Sequence, residues 1–394
     1  MKTHCRLASL CLVSLAGLEI SHAQNPLITS FSANGVLTCS NLVAGSAAAV
    51  EWAPTVSGPW NSDWSSLTAI AVPSSHAISV GVPMFYRVQA LTNGTFTADG
   101  MALVPAGTYK IGDTLDGDIT DAQPTNVYVS NFYMDTNLVS GGLWSAVLTY
   151  ASSHGFIMAA SGGSAEGYAK ATNHPMGQCQ WSDTLLWCNA RSEQAGLTPV
   201  YYADAGLTQA YTNGLTQTTG FYPNWTANGY RLPTEAEFEK AARGGLNQNR
   251  FPWGNFISWA NANYVGSLLS WPSGAAADSY FSYNFSSSGV NPVYATTVPY
   301  TSPLGSFPPN GYGLYDMTGN DFEWCWDWYA GPPYPAGSAY LGGNDPHGPA
   351  SGSARVGRGC SWDFAANIAR CAHRTWGAPN AVYAQQGFRC VRIP

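Results

Sequence analysis

Asp316, Gly319, Asp321 and Glu323 fall within one short segment, YDMTGNDFE, around a Gly-Asn turn that can aim main-chain carbonyls inward. Carboxylates mixed with carbonyl oxygens suit calcium, which takes about six to eight hard oxygen ligands and tolerates irregular loops. The whole stretch between Arg250 and Arg355 lacks lysine and arginine, yet it holds Asp278, Asp316, Asp321, Glu323, Asp327 and Asp345. Packed among Tyr, Phe and Trp, such acids need a counter-charge. One answer is a hard cation. The other is arginine from far along the chain, because Arg355, Arg358, Arg370, Arg374, Arg389 and Arg392 all lie near the C-terminus and guanidinium binds carboxylate bidentately. Asp327 and Asp345 suit arginine partners or caps better than metal.

Other chemistries find little support. His76, His154, His174, His347 and His373 are scattered without metal-ligand spacing, and no GxSxG elbow, phosphate loop or clustered Cys/His pattern occurs. Trp324, Trp326, Trp328, Trp362 and Trp376 are expected either in the core or along a groove for a peptide or carbohydrate.

The elements that must position these residues are short. YRLPTEAEFEKAARGG predicts a helix opened by a capping box of Thr234 and Glu237 and closed near Arg243-Gly244. WSDTLLWCNARSEQAG predicts a second helix with Ser182 as its N-cap and Gly196 as its stop. In GLWSAVLTYASSHG, apolar spacing at Leu143, Val147, Leu148 and Ala151 predicts a third. MALVPAGTYKIG reads as a strand pair turning at Ala106-Gly107. After Gly245 the chain is rich in Gly, Pro and aromatics, so many ordered loops are expected. Few helices among short strands make the class α+β.

Before residue 101 the texture differs. Residues 1–23 combine Lys2 and Arg6, an apolar run and a Ser-His-Ala end, the layout of a signal peptide cleaved after Ala23; an uncleaved anchor is the alternative. Residues 24–92 read as a small all-β, sandwich-like domain of short strands (LITSFS, GVLTCSN, AAAVEWAP, HAISVGV, MFYRVQA), and residues 93–100 as a linker. No later run is long enough for a membrane span, so the protein is expected to be exported. Its acidic balance, a net charge of −7, argues against nucleic acid as a partner. Only 10% of residues are charged, so aromatic packing and tight turns must hold the fold. Past Ala23 the cysteines are Cys39, Cys179, Cys188, Cys325, Cys360, Cys371 and Cys390; seven is odd, which leaves at least one thiol unpaired within the chain.

The ordered motifs MALVPAGTYKIGD, HPMGQCQWSDTLLWCNA, GYRLPTEAEFEKAARGG, FPWGN, ANYVG, SFPPNGYGLYDMTGNDFEW, RVGRGCSW and GFRCVR resemble the formylglycine-generating enzymes, or sulfatase-modifying factors, over residues 101–394. The resemblance implies a C-type-lectin-related α+β fold with little regular secondary structure. It also implies an oxidase that converts a sulfatase cysteine to formylglycine, using oxygen and copper held by two thiolates. The positions matching those thiols are Phe364, three residues after Ser361, and a place near Ala369. Soft thiolates are what hold Cu(I), so copper is not expected here. Cys360 and Cys371 stand eleven apart, which does not reproduce the family spacing.

The resemblance further implies calcium bound by the side chains of Asp316 and Glu323 and the carbonyls of Gly319 and Asp321. A second calcium site would use Asn263 and Tyr264, with Thr296 where the family has an aspartate and Val298 at the last carbonyl. A disulfide joining Cys188 to Cys390 is implied in the same way; Cys371 would lack its family partner, since position 242 is Ala242. The expected function is a calcium-stabilised binding or scaffolding module for a protein, peptide or glycan. The alternative is a formylglycine-generating or other oxidative enzyme of the family.

Overall fold

The computed structural model describes residues 100–394, apart from 118–120, 159–167, 216–219 and 267–288, together with the backbone of short strands before residue 100. The chain divides into two compact units, Met1–Leu91 and Thr92–Pro394. In the first, Leu27–Phe31, Val36–Ser40 and Ile78–Gly81 form one antiparallel sheet. Cys11–Ser14, Ala47–Trp52 and Ile70–Ala71 form another. The expected strand MFYRVQA lies outside the described residues.

In the second unit the organising element is the strand Phe322–Trp328. It pairs antiparallel with Arg355–Arg358, which continues to Thr375–Gly377, and parallel with Gln386–Gly387. Side chains on a strand alternate between faces, and FEWCWDW is buried on both. Trp324 and Trp326 enter a core with helix α2 (Trp181–Gln194). Cys325 enters a second core with helix α3 (Glu235–Ala242). The strand therefore divides two cores, the tryptophans on one side and the odd-numbered residues Glu323, Cys325 and Asp327 on the other.

α3 begins as its sequence directs: Thr234 accepts a hydrogen bond from the Glu237 amide, and the Glu237 carboxylate accepts one from the Thr234 amide. α2 begins at Trp181 with Gln180 at the N-cap position and no side-chain cap, so the expected Ser182 cap is displaced by two residues. Its opening is fixed by packing instead, as the Trp181 indole donates to the Cys325 carbonyl at 2.8 Å. Helix α1 (Gly141–Ser153) buries Trp144, Val147 and Ala151, while Leu143 is exposed. The tryptophan, larger than leucine, sets the buried face.

MALVPAGTYKIG is not a hairpin. Met101–Val104 pairs with Phe132–Asp135, whose other edge takes Val391–Arg392. Gly107–Ile111 pairs with Thr125–Val129, which also receives Gly343–Asn344. The Ala106-Gly107 turn hands the chain between two sheets, because each half pairs along its whole length with a strand elsewhere.

Candidate functional site

Around Gly319 the acidic loop folds back on Asn263. Gly319 has φ of 79°, and a Cβ there would lie 2.5 Å from the Asn263 carbonyl, so only glycine fits. The Asn320 amide donates to that same carbonyl at 2.8 Å. Asp316 also takes a left-handed φ, 52°. Its Oδ2 accepts from the Gly305 amide at 3.0 Å, and its buried Oδ1 has no partner. Burial pushes Asp316 up to about 6, against the lowering influence of Arg389. Glu323 is held on both oxygens by Arg389, Nε to Oε2 at 2.6 Å and Nη2 to Oε1 at 2.8 Å, with both side chains fully buried. The loop thus combines both answers to the charge question. An arginine neutralises Glu323, and Asp316 is left with an oxygen free for a hard cation. Asp316 Oδ1 is a hard oxygen donor, whereas the Gly319 carbonyl accepts from the Asp321 amide at 2.9 Å and Glu323, expected as a side-chain ligand, is held by Arg389 instead.

Asp321 turns its side chain away from this loop. Both of its oxygens are buried without a partner, Oδ2 beside Gly177 and Gly387, and burial followed by the charge of Asp363 raises its pKa well above the usual carboxylate range. Asp327 accepts from the Glu235 amide at 2.8 Å, at the first turn of α3. Asp345 accepts from the Ser130 amide and hydroxyl at 2.6 and 2.7 Å. Both act as caps. Other ion pairs of the C-terminal arginines go elsewhere: Arg358 meets Glu235 and Glu239, Arg374 meets Glu235 and Asp121, and Arg370 meets Asp113 and Asp116. Among these ion pairs of the described residues, Glu323 is the acid of the stretch that a C-terminal arginine meets, because α3 and Asp113, Asp116 and Asp121 supply the other carboxylates.

At the second candidate calcium site, Asn263 Oδ1 is buried and unpartnered, while its Nδ2 donates to the Tyr300 carbonyl at 2.8 Å. The Tyr264 carbonyl is taken by the Trp259 indole at 3.0 Å, and Thr296 receives the Lys170 ammonium at 3.1 Å. An ammonium at the place of the expected aspartate is a poor neighbour for a divalent cation. Among the described residues, no group of three or more His, Cys, Asp and Glu side chains could hold a metal.

Ser361 is buried and donates to the Asp363 carboxylate. Phe364 packs edge-on against Phe322, ring centres 5.0 Å apart, in a cluster that includes Ala369, Tyr264 and Phe251. Cys360 belongs to this cluster, but Cys371 belongs to the α3 core. No thiolate pair faces this pocket, and burial pushes the Cys360 thiol up, beyond its ordinary range. The residues do not fit copper. In the core that holds Trp324 and Trp326, Cys188 and Cys390 face each other as buried thiols with sulfurs 3.6 Å apart.

The expected groove is a cleft of about 950 Å³ on the tryptophan face. Trp326 and Trp328 line it, joined by Trp181, Phe221, Tyr222 and Trp225, while Trp324 is fully buried in the core and Trp362 packs against Tyr300. His347 stacks on Trp225 with ring centres 3.7 Å apart. Arg355 lies between Trp181 and Trp328, its guanidinium 3.6 and 3.4 Å from the ring centres. Trp225, Tyr222, His347 and Arg355 were not legible as a group. The register that sets Arg355 opposite Trp328 is a pairing of distant strands.

The small sheets, sparse helices and ordered loops define a C-type-lectin-related α+β domain. Two solved structures share it: Treponema denticola variable protein 1 (TM-score 0.53, 27% identity, 75% of this chain and 95% of that chain) and CarF (TM-score 0.52, 24% identity, 75% and 98%). The profile of the sulfatase-modifying factor enzyme 1-like domain matches residues 88–394, and the chain belongs to that family. The formylglycine-generating enzyme of Thermomonospora curvata is 38% identical over 44% of this chain, a match that spans 52% of the enzyme's own length. That of Bos taurus is 29% identical over 74% of each chain. A Paenibacillus barcinonensis protein named chaperone protein LppX is 26% identical over 76% of this chain and 92% of its own. Among the described residues no helix is long and apolar enough to cross a membrane.

Proposed function

We propose that this chain is an exported, calcium-stabilised binding module that acts through its aromatic cleft and has no copper-dependent oxidase activity. The observation that carries the reading is the packed aromatic cluster at the position of the copper site, where Phe364 and Ala369 stand without donor atoms. A hard-oxygen loop and a ligand-sized cleft remain. Clefts of several hundred Å³ walled by aromatics, with a few polar groups, are the usual form of small-ligand sites.

Half-exposed rings alongside the hydroxyls of Ser182, Ser351 and Ser353 suit a saccharide. The C–H face of a pyranose lies on the electron-rich face of an aromatic ring, and its hydroxyls bond at the rim. The names of the relatives favour a second reading, a formylglycine-generating oxidoreductase; against it stand the missing thiols.

Binding is tested with the purified chain on immobilised saccharides and peptides. Saccharide binding is expected, at least tenfold weaker in Tyr222→Ala and Trp225→Ala, whose rings stand at the cleft wall. Absence of binding to either class contradicts the reading.

A further inference from the structure

Arg355 is only 4% exposed, yet it has no carboxylate within ion-pair distance among the described residues, whereas Arg358, Arg370, Arg374 and Arg389 each meet one. Its hydrogen bond runs from Nη1 to the Trp326 carbonyl at 2.5 Å, and its Nε is buried without a partner. Stacking between the two indoles compensates part of the lost hydration, but a cation left without an anion at a cleft wall is costly. Asp327 is the carboxylate within electrostatic reach, and it spends one oxygen on the Glu235 amide. Burial pulls the guanidinium down only to about 9, so it stays charged at neutral pH.

We propose that Arg355 reads an acidic substituent, so that the cleft takes a uronic acid saccharide: the sugar ring stacks on the aromatic walls and its carboxylate meets the guanidinium. This rests on the reading of the cleft as a saccharide site and adds the charge of the ligand. A carboxylate fits the planar fork of arginine, and the aromatic planes fix the guanidinium in advance, so little side-chain freedom is lost on binding. A ring-bearing acid uses the stacking walls and the cation together.

Calorimetric titration of the full chain with trigalacturonic acid, its methyl ester and a short peptide bearing a free C-terminal carboxylate tests the proposal. The acid is expected to bind at least tenfold more tightly than the ester. Arg355→Met, which keeps a long stem between the indoles, is expected to remove that preference, bringing the affinities for acid and ester to within about twofold of each other, while Arg355→Lys restores part of it. Equal affinity of the parent for acid and ester overturns the charge assignment and leaves the cleft reading standing. No binding of either saccharide, or binding of the peptide alone, overturns both. If Arg355→Met fails to fold, the comparison of acid with ester in the parent decides.

Discussion

Asp316 is a buried carboxylate with one oxygen left without a partner. Its folded pKa of about 6 lies above its ordinary value, so the folded state keeps a proton that the unfolded chain releases near pH 4. The stability linked to this proton is fully present below pH 4 and is lost as pH rises through 6. A shift of this size corresponds to about 3 kcal/mol. In chelator, Asp316→Asn is therefore expected to be more stable than the parent at pH 7.5, and the gap closes toward pH 4. Asparagine tolerates the left-handed backbone there, so the comparison isolates the charge. On the proposed reading, added calcium is expected to raise the parent's melting temperature, since a ligand of the folded state stabilises it, and to raise that of the variant less. Differential scanning calorimetry at the two pH values reads both effects. At this scale the sequence showed that Asp316 and Glu323 are acids without a counter-charge nearby in the chain, because residue type and spacing are local. It could not say which arginine would reach Glu323, since Arg389 arrives through strand pairing and not through proximity in the chain.

The elements were legible where local rules decide them. The α3 capping box follows from Thr234 and Glu237 alone. Thr234→Ala is expected to cost about 1 kcal/mol, read as a drop of roughly 2–4 °C in melting temperature. Where tertiary pairing decides, local reading misled: Met101–Val104 and Gly107–Ile111 look like a hairpin and belong to separate sheets. The N-terminus of α2 was misplaced for a related reason. An indole bonded to the carbonyl of Cys325 defines its opening, and no local cap marks it. Alternation in FEWCWDW was visible in the sequence, but both faces are buried. The cue that normally separates core from solvent was therefore absent, and the division of tryptophans from acids emerged only with α2 and α3 in place.

For the whole molecule, few helices, short strands and long Gly- and Pro-rich loops point to α+β, and the ordered motifs point to the family. Of the cleft, the sequence suggested Trp326 and Trp328 as candidates, but not its other walls, which come from α2, the 220s loop and the 347–355 segment. Cys188 and Cys390 lie 202 positions apart in the chain and bring their buried sulfurs to 3.6 Å. In protein recovered from an oxidising compartment, non-reducing peptide mapping is expected to find them linked, and reduction to lower the melting temperature; recovery of both as free thiols contradicts the pairing. On the reading proposed here, the fold persists without its copper chemistry. The most direct test of that reading is incubation of the purified chain with Cu(I), oxygen and a Cys-x-Pro-x-Arg peptide, followed by mass spectrometry. The account predicts that the cysteine remains unconverted under conditions in which the Thermomonospora curvata relative is assayed in parallel as a control. Formylglycine formed catalytically by this chain would contradict it.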